Sequence, residues 1–159
     1  MKRSIFVKGA CIVAVALATH VVTAAAPPAQ YQRFDINSTT ICDQETGLRW
    51  DRAAGPPASY LAAKGTCAAP RRLPTVKELL TLVDEDRHRE QRGGTEVEVA
   101  IDGAAFPETP TDVGFWTDTL THDLTSRFTV HFGTGEATLS KDADERRVRC
   151  VQFVGRACP

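Results

Sequence analysis

The residues best equipped for chemistry are four cysteines, a group of cations in the last third of the chain, and several acids in turn-rich stretches. Cys42, Cys67, Cys150 and Cys158 are separated by 25, 83 and 8 residues. A zinc site needs closely spaced thiolates or histidines that converge as a tetrahedron, and neither a C-x2-C pair nor a histidine knuckle is near. The fifth cysteine, Cys11, lies in an apolar N-terminal run expected to be removed with the signal peptide, and the even set that remains fits two disulfides formed in an oxidising compartment; four cysteines allow three pairings. Arg127 and His131 fall on one face of an alternating stretch, and Arg146 and Arg147 open a later one. Brought together, these four would make a basic patch that grips sulfate or carboxylate through guanidinium forks, the expected ligand surface. Glu136, Asp142, Asp144 and Glu145 lie among them and oppose a uniformly basic face.

Asp102, Glu108, Asp112 and Asp118 sit in or beside loops, and His122 adjoins Asp123. A catalytic pair is defined by its separation in space, which spacing along the chain does not supply. The sequence contains no nucleophile elbow, phosphate loop or H-E-x-x-H. Calcium-dependent sugar binding draws on clustered carboxylates and amides, yet Asn37 is the one asparagine. The expectation is therefore a non-enzymatic chain without metal or cofactor.

The elements that would position these residues are mostly strands. Phe34, Ile36 and 39–42 read as extended chain that turns through 43–47 into Leu48-Arg49-Trp50-Asp51, a hairpin in which Gly47 supplies the tight return. Ala54-Gly55-Pro56-Pro57 ends it, and Ser59 is placed to cap a short helix over 60–64, stopped by Gly65. Thr75 and Glu78 form a capping box ahead of Val76, Leu79, Leu80 and Val83, whose spacing gives one buried helical stripe. Residues 84–92, rich in both charges, read as a solvated excursion, and 95–101 as a half-buried strand. Phe115 and Trp116 enter a buried strand; Phe128, Val130 and Phe132 alternate with Arg127, Thr129 and His131, and 133–135 turns this strand into another. The last strand, 146–154, sets Val148 and Cys150 on one face with Arg149 opposite, and Val151 breaks the alternation as a bulge would. Trp50 and Trp116 are expected in the core, Arg72 against loop carbonyls beneath Pro74, and Arg149 paired with Asp102 or another loop acid.

The whole chain has 159 residues with 19 Lys and Arg against 20 Asp and Glu, a formal net charge of -1, enough for one compact domain and too balanced to coat nucleic acid. Lys2, Arg3 and Lys8 precede or interrupt an apolar run that ends in Ala24-Ala25-Ala26, the pattern of a signal peptide over residues 1–26. The apolar stretch is shorter than the roughly 20 residues that cross a bilayer, so no membrane span is expected in the mature chain. Removal of the three lysines and arginines leaves 16 basic residues against 20 acidic, a mildly acidic exported protein. Residues 27–33 read as a flexible leader and 34–159 as a single domain.

Four pieces then stand in order: Thr46-Gly47-Leu48-Arg49-Trp50; Arg72-Leu73-Pro74-Thr75 running into Lys77-Glu78-Leu79; Ile101-Asp102 through Ala105-Phe106-Pro107 and Thr109-Pro110 to Phe115-Trp116-Thr117; and Phe128 to Phe132 with Gly135, followed by Val148-Arg149-Cys150. Together they resemble the Lcl C-terminal domain, also called domain of unknown function 1566, over about residues 34–153. Arg71 stands where that family usually carries a tryptophan. The resemblance implies an α+β, C-type-lectin-like fold: a twisted antiparallel sheet, one or two helices and long irregular loops. It also implies the pairings Cys67 with Cys150 and Cys42 with Cys158. Its adhesin member is associated with sulfated glycans, so the expected role is a secreted or periplasmic, non-catalytic binding module for a surface glycan or an envelope protein. The alternative is a structural or assembly domain of the envelope.

Overall fold

The computed structural model describes residues 29–33 and 38–155. The expected signal peptide, Phe34, Ile36 and Cys158 lie outside the described residues. In chain order the elements are β1 (Tyr31–Arg33), β2 (Thr40–Asp43), β3 (Leu48–Asp51), β4 (Gly55–Ala58), α1 (Tyr60–Thr66), α2 (Val76–Leu80), β5 (His88–Arg92), β6 (Thr95–Val99), β7 (Phe115–Leu120), β8 (Arg127–Val130), β9 (Ala137–Ser140), β10 (Arg146–Val148) and β11 (Val151–Phe153). Strands dominate and two short helices accompany them, an α+β architecture. They form a four-stranded sheet in the order β1-β2-β3-β11, a five-stranded sheet β4-β10-β7-β8-β9, and the separate hairpin β5-β6.

The β2–β3 hairpin follows from its turn. Asp43 accepts from the Glu45 and Thr46 backbone and from the Thr46 hydroxyl, while Gly47 takes φ +69° with Gly155 against it. A Cβ there would come within 2.9 Å of the Gly155 backbone, so both conformation and space demand glycine. Tyr31–Arg33 correct the expectation of a loose leader: they pair with β2, and the Tyr31 ring meets Phe106 edge-on at 5.2 Å. That apolar contact, with the ladder, is what holds the segment.

Gly55–Ala58 is likewise a strand and more than the end of a hairpin. Its prolines cannot donate to a ladder, and an edge position is where a sheet tolerates them; β4 occupies that edge beside β10. Ser59 stands at the α1 N-cap without a side-chain hydrogen bond, and the helix continues through Gly65 to Thr66. Residues 88–99, expected as a solvated excursion followed by a strand, form a regular β5–β6 hairpin. Gly93 and Gly94 both take positive φ, as a two-residue return between twisted strands requires.

Helix α2 begins at the capping box: Thr75 Oγ1 accepts from the Glu78 N–H and Glu78 accepts from the Thr75 N–H. The chain then tightens, because Thr81, Leu82 and Val83 donate three residues back, to Glu78, Leu79 and Leu80. Three residues per turn rotate the stripe relative to 3.6. Leu79 and Leu82 are consequently buried, whereas Leu80, expected inside, is 37% exposed. Arg72 donates to the Leu73 carbonyl at 3.0 Å and to Glu78 Oε2 at 2.8 Å. These hydrogen bonds from Arg72, above all, hold the Glu78 carboxyl below its ordinary value of 4.5. Its folded value lies below its unfolded one, so its contribution is full above 4.5 and is lost as pH falls through the folded value. Glu78→Ala is expected to cost about 1–2 kcal/mol at neutral pH, and the gap from the parent should narrow progressively as pH falls below 4.5, as urea titrations along a descending pH series would record.

Two apolar clusters build the core. Ile41, Leu48, Trp50, Leu79, Leu82, Val99, Phe106, Phe115, Phe132 and Val151 belong to the first. Tyr60, Ala63, Leu73, Trp116 and Val148 close around Cys67 and Cys150 in the second. Phe115 and Trp116 are neighbours on β7 and so serve opposite faces of one sheet. The Cys67–Cys150 disulfide is formed, with the two Cα atoms 5.5 Å apart; the expected pairing of Cys42 with Cys158 involves a residue outside the described ones. The C-terminal stretch is not one bulged strand. It serves β10 in the five-stranded sheet, crosses at Arg149–Cys150, and enters the four-stranded sheet as β11.

Candidate functional site

Strand alternation sorts the four cations of the expected patch. Arg127, Thr129 and His131 alternate from one face of β8, and Thr129 is the register partner of Trp116 on β7. Val148 packs with Trp116, so Arg146, two residues before it, shares that face and Arg147 points to the other. The structure therefore brings Arg127, His131 and Arg146 to one side and leaves Arg147 behind. Arg147 donates its backbone N–H to Gly114, and its Nε is buried without a partner.

Neither arginine on the shared face is open. The Arg127 guanidinium lies 3.5 Å from the Tyr60 ring centroid, donates from Nε to Asp142 Oδ1 at 2.9 Å, and its side chain is only 15% exposed. The Tyr60 hydroxyl donates to Asp118, and burial, with that hydrogen bond, pushes its pKa up. Arg146 donates to Ser140 Oγ at 2.8 Å and the Glu145 carbonyl at 2.8 Å, with Asp144 at 3.4 Å. The acids counted against the patch are what hold its arginines. An incoming sulfate would have to displace existing carboxylates, so this face works as a brace joining α1, β7, β8 and the 141–145 turn.

Among the residues expected to be structural, Trp50 and Trp116 are fully buried, and Trp116 donates to the Ala58 carbonyl at 2.7 Å. Arg149 is 1% exposed and is not paired with Asp102. Asp102 instead accepts from the Ala104 and Ala105 N–H groups, while Arg149 donates to the Asp51 and Arg52 carbonyls and to Thr109 Oγ1.

The polar concavity lies elsewhere. A cleft of about 450 Å³ opens between the β5–β6 hairpin and the 103–108 loop, lined by Glu90, Gln91, Arg92, Gly93, Gly103, Pro107 and Glu108. Arg92 anchors its floor by donating to Glu90 Oε2 at 2.7 Å and to the Thr109 carbonyl. Gly103 is what lets the loop close on the hairpin, since a Cβ there would fall 2.0 Å from Glu90 Oε1. Glu108 is exposed on the cleft, and among the described residues no hydrogen bond or ion pair engages its side chain; Gln91, between Glu90 and Arg92 on β5, directs its side chain to the other face of the hairpin. Glu108 holds φ +55°. Sequence reading placed Glu108 in a loop but missed the cleft; the signal available was the Gly93-Gly94 pair, which folds the charged 88–92 run onto 95–99. A second, smaller cleft of about 230 Å³ adjoins the disulfide, with Asp51, Ala54, Gly55, Arg71, Val148 and Cys150 in its wall. There Arg71 is clamped to both Asp51 carboxylate oxygens at 2.8 and 2.9 Å.

Among the described residues no group of three or more His, Cys, Asp or Glu is arranged to hold a metal ion, and no helix is long and apolar enough to cross a membrane. No curated protein and no solved structure shows significant similarity to the chain. The family model of the Lcl C-terminal domain matches residues 39–152, from just before β2 into β11. The chain belongs to the Lcl C-terminal domain family.

Proposed function

We propose that this protein is an exported, non-catalytic binding module that receives a neutral, polyhydroxylated ligand such as a surface glycan in the cleft between the β5–β6 hairpin and the 103–108 loop. The carrying observation is the unengaged Glu108 carboxylate on a concave wall whose shape is set by the Arg92–Glu90 pair. A carboxylate accepts from sugar hydroxyls, and Pro107 offers an apolar plane beside it. The internally paired Arg127 and Arg146 speak against a sulfated or carboxylated ligand on the Arg127–Arg146 brace. Export is supported by the disulfide, which persists in oxidising compartments. The C-type-lectin-like reading draws support from a sheet that sets β11, near the C-terminus, beside β3, near the N-terminus.

Titration calorimetry of the oxidised protein with neutral oligosaccharides and with a sulfated counterpart tests this. Binding of a neutral glycan is expected, weakened about tenfold by Glu108→Ala, the loss of roughly one charge-assisted hydrogen bond. Preference for the sulfated glycan, lost in Arg127→Ala and untouched by Glu108→Ala, would overturn it. The competing role, docking on an envelope protein, is favoured by the exposure of Leu61, Leu124 and Phe153; capture of an envelope protein insensitive to Glu108→Ala would select it.

A further inference from the structure

Strand β9 ends the five-stranded sheet, and among the described residues no strand pairs with its outer side. Ala137, Thr138 and Leu139 are all exposed, Leu139 to 57%. Free strand edges invite pairing with another chain, and proteins commonly blunt them with proline, charge or cover. The other edges among the described residues carry such devices. β4 has Pro56 and Pro57, the β5–β6 hairpin is rich in Arg and Glu, the short β1 ends in Arg33, and Arg72 bridges to Val151 on β11. The run Ala137-Thr138-Leu139-Ser140 has neither proline nor charge.

The hydrogen-bonding phase of this edge is defined. His131 donates to the Glu136 carbonyl, and antiparallel pairs alternate, so the backbone groups of Thr138 are directed at β8 and those of Ala137 and Leu139 point outward. Two copies related by a two-fold axis normal to the sheet must pair residues of equal parity, since paired residues share a face. Centring the axis on Thr138 sets Ala137 against Leu139 of the second copy, an outward-facing, hydrogen-bonded pair, and Thr138 against Thr138. The apolar rung Val130–Ala137, known from the β8–β9 register, is then continued by Leu139 and Phe128 of the second copy. Glu136 falls opposite Ser140 of the second copy at each end, so no like charges are opposed. Shifting the axis to Leu139 would instead oppose Glu136 to Asp142, a like-charge pair.

We propose that β9 is a homodimerisation edge, two copies pairing antiparallel about Thr138 to join their five-stranded sheets into one. The contact is short, so the dimer is weak, with a dissociation constant on the order of 10–100 µM. Sedimentation of the full oxidised chain across that range should show concentration-dependent dimers. Leu139→Pro removes an outward N–H while sparing the bonds to β8, and it should raise the dissociation constant about tenfold or more. Leu139→Lys serves the same purpose if the proline variant does not fold. Thr138→Cys should cross-link to itself on mild oxidation, because a non-hydrogen-bonded pair brings the two Cα atoms to about 4.5 Å, within disulfide reach. A chain that stays monomeric to about 1 mM, or a dimer indifferent to both Leu139 variants, overturns the proposal, whether β9 then takes an extended peptide of another protein or nothing.

Discussion

Replacing Arg149 with alanine is expected to cost about 3–5 kcal/mol, among the largest effects of any single substitution in this domain. Its guanidinium is sealed among Phe106, Phe115 and Phe132, with centroids at 4.7, 5.4 and 6.0 Å. Burial lowers its pKa to about 9, which still leaves it charged at neutral pH. The charge is accommodated because one terminal nitrogen donates to the Asp51 and Arg52 carbonyls at 2.8 and 2.9 Å and the other to Thr109 Oγ1 at 2.8 Å. Alanine would open a cavity and strand those three acceptors together. Methionine refills the volume without a charge and should cost less, about 1–3 kcal/mol from the unpaired carbonyls alone. Lysine should behave nearer to alanine, because a point ammonium cannot span the planar fork. Urea unfolding of the three oxidised variants supplies the ranking; an alanine variant within about 1 kcal/mol of the parent would remove Arg149 from its place as the tie between β3, the 102–110 loop and β10.

Loss of the Cys67–Cys150 bridge is expected to be of similar size. The bridge spans a sequence separation of 83, and the chain-entropy relation for a loop of that length gives about 4–5 kcal/mol. A domain of this kind has a net stability of about 5–15 kcal/mol, so about a quarter or more of it rests on this cross-link. Both sulfurs also belong to the second core cluster, with Cys67 7% and Cys150 2% exposed. The double variant Cys67→Ser, Cys150→Ser therefore adds a burial cost for two hydroxyls to the entropic one. A fall in melting temperature of about 10–20 °C is expected by differential scanning calorimetry. A fall below about 5 °C would mean that the unfolded chain is already constrained by other means.

Local chemistry made part of this fold legible. The capping box at Thr75 and Glu78, the glycine return at Gly47 and the alternation through Arg127–Phe132 each depend on residues within a few positions of one another, and each appears where the residues placed it. The same local logic overreached at Leu80, because the helix tightens after Thr81 for reasons set by the packing of Leu82. It fell short at Pro56-Pro57, where proline reads as a stop until an edge position is known to be available. The Cys67–Cys150 pairing came through family resemblance, since four cysteines leave three pairings open on their own.

Grouping cations by closeness in sequence failed for a physical reason. Arg146 and Arg147 are adjacent, and adjacency in a strand means opposite faces. The acids nearby were read as opposing a patch, but distance and direction make them the partners that close it. Sequence reading gives Arg149 a structural role with a loop acid as its partner; the carbonyl cage that holds it instead is contributed by residues nearly one hundred positions earlier, brought in by the switch of the C-terminal stretch from one sheet to the other.

By itself the sequence determined the domain's class and its local elements, because propensity, capping and turn chemistry act over a few residues. Tertiary structure alone decided which charges are spent and which stay available, where the polar cleft opens, and which strand edge is left bare, because each of these depends on the pairing of distant segments.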